Sequence, residues 1–277
     1  MNRLPTFVYV GAAKAGSMWI DAALREHPQI FLPVVKRTFF FDRNYHSGIE
    51  WYKAHFSGAE RFQASGEICH DYFLTPSVAT RIKECIPDVK IIFCLREPAE
   101  RLVSAYLHER EHGNIGKQSF EQFIANEGVL QKSRYLDNLK PYFEIFPRNQ
   151  LLVLFYDNLK EDPAQFYSNI CRFIGVDSTY QAKAIGRTVN PTRRVRFPSI
   201  AKRIYAKARS KDTTAHSADF KNKIRRRLLT LLAPILYSKQ KPDVVVDAAI
   251  IERLRVDFRS SYAEFERQLG IKIPAGW

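Results

Sequence analysis

Three nearly unbroken apolar runs constrain this chain most: Phe7-Val8-Tyr9-Val10, Val89 to Leu95, and Leu151 to Tyr156. A strand with one wet face alternates apolar and polar residues, whereas a strand covered on both faces has no need to. Each run leads into a segment of helical character. Residues 17–26 carry Ile20, Ala23 and Leu24 on one face, with Ser17 available as the cap. The segment after Arg96-Glu97-Pro98 carries Leu102, Tyr106 and His108, and the third helix is expected from Asp162 to Ile174. Repeated strand-then-helix order predicts an α/β fold, a central parallel sheet flanked by helices in three layers. Ligands of such sheets lie beyond the carboxyl ends of the strands, which directs attention to the loops after Val10, Leu95 and Phe155.

No Gly/Ser/Pro-rich linker and no repeat divides the 277 residues, so a single domain over 1–277 is expected. A last helix is expected as one continuous stripe of Ile251, Leu254, Phe258, Tyr262, Phe265 and Leu269, capped by Asp247 and stopped by Gly270. Cys69, Cys85, Cys94 and Cys171 form no CxxC pair, and the expectation is four reduced thiols. No metal-ligand spacing stands out among them and the seven histidines, and no metal is expected. The apolar run after Met1-Asn2-Arg3 is short for an export leader, and no stretch approaches the ~20 apolar residues of a spanning helix. A cytoplasmic location is expected, with peripheral membrane contact as its variant.

The net charge of +14 is concentrated in one place. From Arg193 to Lys241 there are fifteen Lys or Arg against Asp212 and Asp219, which is +13. Ile200, Ile204 and Ala208, and then Ile224, Leu228, Leu231 and Leu232, recur at helical spacing within it. This basic helical segment, about 193–241, suits closure over a bound anion first. Contact with an anionic membrane or glycan follows closely. Nucleic acid is not expected, since stacking aromatics are scarce there.

The loop Gly11-Ala12-Ala13-Lys14-Ala15-Gly16-Ser17 joins the first strand to the first helix. Small residues let backbone N–H groups converge on an anion, the helix terminus adds partial positive charge, and Lys14 adds a full one. The pattern is like a P-loop, but the lysine precedes the second glycine, where GxxxxGK(S/T) would place it after. Arg96 ends the second buried strand and Ser104 follows two helical turns on. An arginine fork and a serine hydroxyl can share one phosphate, although Arg96 could equally pair with Glu97 or Glu100.

Together these loops resemble the sulfotransferase family that uses 3′-phosphoadenosine 5′-phosphosulfate (PAPS), and the resemblance runs over most of the chain. Lys14-Ala15-Gly16-Ser17-Met18 is similar to the family's 5′-phosphosulfate loop, and Arg96 with Ser104 to its 3′-phosphate element. Lys36-Arg37-Thr38-Phe39-Phe40-Phe41-Asp42 resembles the KEPHFFD-like stretch of glycan-type members. Gly48 to Tyr52, Glu67 to Phe73, Ser133-Arg134-Tyr135 and Leu151 to Asp157 follow in the family's order. The resemblance implies a nucleotide-kinase-like topology and metal-free, in-line sulfuryl transfer from PAPS, leaving PAP. Lys14 would stabilise the leaving group, Ala15, Gly16, Ser17 and Met18 would supply amides, and Arg96 and Ser104 would hold the 3′-phosphate. Tyr135 is included in the implied donor site, and Arg193-Arg194 is the candidate closing loop. Glu67 is the implied general base and His70 its competitor. The acceptor would be a glycan, a glycolipid or a small alcohol.

The departures touch both the donor loop and the acceptor side. Met18 removes a hydroxyl from the 5′ loop, Arg37 stands where the family has Glu, and His70 replaces a proline. Two rival readings remain open: an ATP-dependent phosphotransferase, and a basic membrane-associated binding protein without catalysis. No Walker lysine or Mg²⁺-binding aspartate motif supports the first.

Overall fold

The structure is a computed structural model that describes residues 4–187 and 246–277, with the backbone of residues 194–195 and 237–238. Arg193 and most of the basic segment lie outside the described residues, as does the side chain of Arg194.

Five parallel strands form the centre: β1 (Phe7–Gly11), β2 (Ile30–Phe31), β3 (Ala64–Ile68), β4 (Lys90–Leu95) and β5 (Leu151–Phe155), in the order β2-β3-β1-β4-β5. The three runs singled out in the sequence are β1, β4 and β5. In β1 and β4, Phe7 to Val10 and Ile91 to Leu95 are wholly buried. The sequence reading did not list β3 among the strands, because Ala64-Ser65-Gly66-Glu67-Ile68 has little apolar content. It pairs beside β1 in the register Phe7↔Gly66, Val8↔Glu67 and Tyr9↔Ile68. Gly66 is required there: a Cβ at that position would stand 2.2 Å from the Phe7 ring.

The flanking helices are α1 (Ser17–Glu26), α2 (Ile49–Ala54), α3 (Ser77–Cys85), α4 (Pro98–Glu111), α5 (Phe120–Ile124), α6 (Glu127–Leu130), α7 (Tyr135–Ile145), α8 (Tyr156–Glu161) and α9 (Pro163–Ile174). The burial of α1 and α9 follows from 3–4 spacing: Trp19, Ile20, Ala23 and Leu24 on one, Phe166, Tyr167, Ile170, Cys171 and Ile174 on the other. Trp19 meets Phe166 edge-on at 5.8 Å. Across the sheet's other contacts, Tyr142 of α7 meets Phe93 of β4 at 5.2 Å. The third helix, expected from Asp162, starts at Pro163, and Asp162 caps it by accepting from Gln165 N.

Two local expectations are corrected. The cap of α1 is Gly16, in a left-handed conformation (φ 87°), and Ser17 makes no capping bond. A glycine can turn the chain there without the Cβ penalty, and that turn leaves the first N–H groups of α1 pointing out of the loop. The closing stripe is two helices, α10 (Ala248–Arg259) and α11 (Tyr262–Leu269). Ser260 Oγ and Ser261 Oγ donate to the carbonyls of Asp257 and Phe258, at 2.6 and 2.7 Å. Such back-bonding competes with the helical ladder and breaks the helix at the serine pair. Leu254 then joins a cluster with Ala99, Leu102 and Tyr106 of α4, while Phe265 and Leu269 join the main core. Asp247 and Gly270 do act as cap and stop.

A two-residue antiparallel pair links β6 (Arg194–Val195) to β7 (Tyr237–Ser238). Among the described residues no helix is long and apolar enough to cross a membrane, and all four cysteines are free thiols.

Candidate active site

A cavity of about 1000 Å³ opens at the carboxyl ends of the strands, where the loops after β1, β3, β4 and β5 meet. The β1 loop contributes Lys14, Gly16, Ser17 and Met18 to its wall, and α4 contributes Arg101, Ser104 and His108. Arg96 stands at the end of β4, His70 and Asp71 just beyond β3, and Tyr156 and Lys160 beyond β5. Lys36 and Arg37 complete the wall from the segment that precedes α2.

Lys14 sits in the left-handed region (φ 68°), which a non-glycine residue adopts only when its surroundings hold it. Burial pulls its ammonium below the ordinary lysine range, opposed by the charge of Glu111. Among the described residues no carboxylate lies within ion-pair distance of it. Ala15 faces the other way, wholly buried in the core, so only its backbone can serve a ligand.

Arg96 is held on three sides. Nε and Nη2 both donate to Glu100 Oε2 at 3.2 Å, and the guanidinium lies 4.9 Å over the Tyr156 ring. Its carbonyl accepts from Tyr135 Oη at 2.6 Å. Tyr135 was expected to touch the donor itself, but it is buried and absent from the cavity wall. Its hydroxyl braces the strand end that presents Arg96.

The sequence reading missed Arg101. Its side chain is 1% exposed, donating to Ser133 Oγ at 2.5 Å and to the Val129 carbonyl at 3.2 Å, with no carboxylate in ion-pair distance among the described residues. Burial first, and then the charge of Arg96, lower its proton affinity. A buried guanidinium bonded only to neutral oxygens retains a large unmet demand for an anion. It lines the cavity one turn from Ser104, whose hydroxyl makes no hydrogen bond to the described residues. The signal was present in the sequence, because Arg101 stands beside Leu102 at an apolar place of an amphipathic helix.

Glu67 does not reach the cavity. It is wholly buried in β3, where Oε1 accepts from Thr38 N and Thr38 Oγ1, both at 2.7 Å. Oε2 accepts from Tyr52 Oη at 2.9 Å and Tyr72 Oη at 3.1 Å. Four donors occupy the carboxylate, although burial still pushes its pKa up. Glu67, expected as the general base, thus stands off the cavity wall, where its carboxylate is a strut tying the Lys36–Asp42 segment to the sheet. Nor is it an ion-pair partner of Lys36, which instead lies 3.8 Å from Asp21.

His70 is on the wall. Its Nε2 is 3.2 Å from Arg37 Nη1, and its Nδ1 is 3.3 Å from Asp71 Oδ2, near enough for attraction but out of line for a hydrogen bond. Arginine can only donate, so Nε2 carries the lone pair and Nδ1 the proton. Burial first, then Arg37, Lys36 and Lys14, push the imidazole down to about 4 against the opposing pull of Asp71. At neutral pH it is an uncharged base.

A parallel sheet in this order, with a lysine-bearing loop before α1 and a cationic cavity at the strand ends, defines an α/β transferase of the phosphate-loop type. The chain belongs to the sulfotransferase domain family, whose model matches residues 4–227. It is 28% identical over 184 residues to mouse heparan sulfate glucosamine 3-O-sulfotransferase 3B1, covering 63% of this chain and 47% of that protein. It is 36% identical over 156 residues to the membrane-associated sulfotransferase kil1 of Dictyostelium discoideum, covering 51% and 33%. The chain thus spans about half or less of these relatives. A sulfotransferase structure from Alicyclobacillus acidocaldarius superposes with a TM-score of 0.59 at 28% identity, covering 68% of this chain and 87% of that one. Mouse sulfotransferase SULT7A1, solved in complex with PAP, shares the fold at TM-score 0.50 and 17% identity, covering 95% and 84%.

Proposed function

We propose that this chain, acting as one catalytic domain, transfers the sulfuryl group of PAPS to a hydroxyl or amine of a glycan or glycolipid. The observation that carries the reading is one continuous cavity holding Lys14 and the α1 terminus, the Arg96–Arg101–Ser104 group, and the neutral base His70. The chemistry of the donor suits this set. Lys14 with the amides of Ala15, Gly16, Ser17 and Met18 would hold the 5′-phosphosulfate. Arg96, Arg101 and Ser104 would hold the 3′-phosphate, with Arg101 meeting there the anion it lacks inside the protein. Arg193 and Arg194 remain the candidates for closure over it. Anionic membrane contact through the basic segment remains part of the proposal.

The donor supplies the sulfuryl group, whose bond to the 5′-phosphate oxygen breaks as the bond to the acceptor oxygen forms. His70 Nε2 takes the acceptor proton, displacing Arg37 from its lone pair, and Asp71 supports the imidazolium that results. Lys14 offsets charge on the departing phosphate. Lys36 and Arg37, on the acceptor side, favour an acceptor that is itself anionic, which is why sulfated or uronic glycans lead small alcohols here. A heparan sulfate relative is consistent with that choice. The test is incubation with PAPS labelled in its sulfuryl group and a panel of polysaccharides, glycolipids and alcohols. Label is expected on an anionic glycan or glycolipid. Label on none of them overturns the reading, and label on small alcohols alone overturns its acceptor half.

A further inference from the structure

The last turn of α4 and its C-cap carry His108, Glu111 and His112. Intervals of three and four residues stack side chains on one helix face, and one ligand atom from each of the three lies within 4.8 Å of the other two. The imidazoles are 4.1 Å apart between centroids. His112 Nδ1 is 2.7 Å from the His108 carbonyl oxygen. A carbonyl only accepts, so Nδ1 bears the proton and Nε2 presents its lone pair. A backbone carbonyl orienting one ring nitrogen while the other ligates is the usual support of a metal-binding imidazole.

We propose that His108, Glu111 and His112 hold a divalent cation of the zinc class. Two imidazoles and one carboxylate suit Zn²⁺ or Co²⁺, whereas Mg²⁺ and Ca²⁺ favour all-oxygen sites. Donor atoms ~2.0–2.2 Å from such an ion sit ~3.4 Å from one another in a tetrahedron, so modest side-chain rotation closes the set. The negative end of the α4 dipole adds attraction for a cation. Neighbouring Glu109 is outside the triad: its Oε2 accepts from Asn114 Nδ2 at 2.6 Å. Three protein ligands leave a coordination position for water or an anion, and His108 shares the cavity wall with Ser104. No step of the sulfuryl transfer needs this ion, so the site stands or falls separately from that reaction.

Chelator-treated full-length protein is titrated with Co²⁺, followed by visible absorption, and with Zn²⁺ by calorimetry. One equivalent is expected, with the d–d bands of a low-symmetry cobalt site that Zn²⁺ bleaches. His108→Ala and His112→Ala should each weaken binding by at least the roughly 10–100-fold seen when an orienting partner is lost. Replacement of exposed His46 by Ala should change nothing. Glu111→Gln leaves both rings in place, and unchanged affinity there overturns the three-ligand site. Absence of uptake, uptake that survives the double histidine variant, or a thiolate-to-cobalt charge-transfer band overturns the proposal.

Discussion

His70 Nε2 and Arg37 Nη1 lie 3.2 Å apart, and this contact identifies the nitrogen that carries the lone pair. The same guanidinium also reaches Asp71 Oδ2 at 3.3 Å. Imidazole, guanidinium and carboxylate form one unit at the cavity wall, built from the adjacent His70 and Asp71 and from Arg37, more than thirty positions earlier.

For His70, turnover should fall by roughly 10²–10⁴ in His70→Ala while PAP binding stays nearly intact. The acid limb of kcat/KM, which reports the free enzyme, should come as pH nears about 4, well below the ordinary imidazole value of about 6.5. Arg37→Met should move that limb upward, because the guanidinium opposes protonation. Stability has its own sign. Between about 6.5 and about 4 the unfolded state binds the extra proton, so stability is full above this window and declines as pH falls through it. A pH-rate profile with its acid limb near 6.5, or a fully active His70→Ala enzyme, excludes His70 as the base.

Glu67→Gln should damage the fold and spare the chemistry. An amide nitrogen in place of Oε1 would face the Thr38 N–H, which can only donate, and in place of Oε2 it would force the Tyr52 and Tyr72 hydroxyls to turn from donating to accepting. Each stranded buried donor costs about 1–3 kcal/mol, and the melting temperature should drop accordingly. Turnover per folded molecule should stay within a few-fold. An unchanged melting temperature with a 10²–10⁴-fold loss of turnover would return the base to Glu67.

PAP should bind more tightly than ADP, because only PAP engages Arg96, Arg101 and Ser104 through a 3′-phosphate. Arg101→Met should weaken PAP by roughly 10–150-fold, the value of one charge-assisted bond of about 1.5–3 kcal/mol. Its effect on ADP should be slight. Isothermal titration decides this, and equal affinities of the parent protein for PAP and ADP would remove the 3′-phosphate site.

Gly66→Ala tests the seam between β1 and β3. The added methyl would meet the Phe7 ring, itself wholly buried and unable to move aside. Overpacking of this kind costs about 1–3 kcal/mol, and a chemical-denaturation midpoint should fall without a change of slope. A midpoint equal to that of the parent would show that the ring can rotate away.

The sequence by itself determined three of the five strands and the loops that follow them, for a local reason. Burial on both faces erases the polar alternation of β1 and β4, the half-buried β5 is apolar throughout all the same, and Lys14, Gly16 and Arg96 follow the first two within a few residues. The same locality made Asp247 and Gly270 readable as a cap and a stop, since a cap acts on the N–H or carbonyl groups next to it. Only the tertiary structure decided which of the two candidate bases stands on the cavity wall. Glu67 and His70 are three residues apart, yet pairing beside β1 buries the first under Thr38, Tyr52 and Tyr72, while the chain leaves the strand after Ile68 and carries the second onto the cavity wall. Arg101 carried only the faint signal of an arginine at an apolar helix position, and the packing of α4, which left it among neutral oxygens, is what makes it a ligand candidate. Whether a charge is a strut or a reagent depends on which atoms desolvate it, and those atoms arrive from distant parts of the chain.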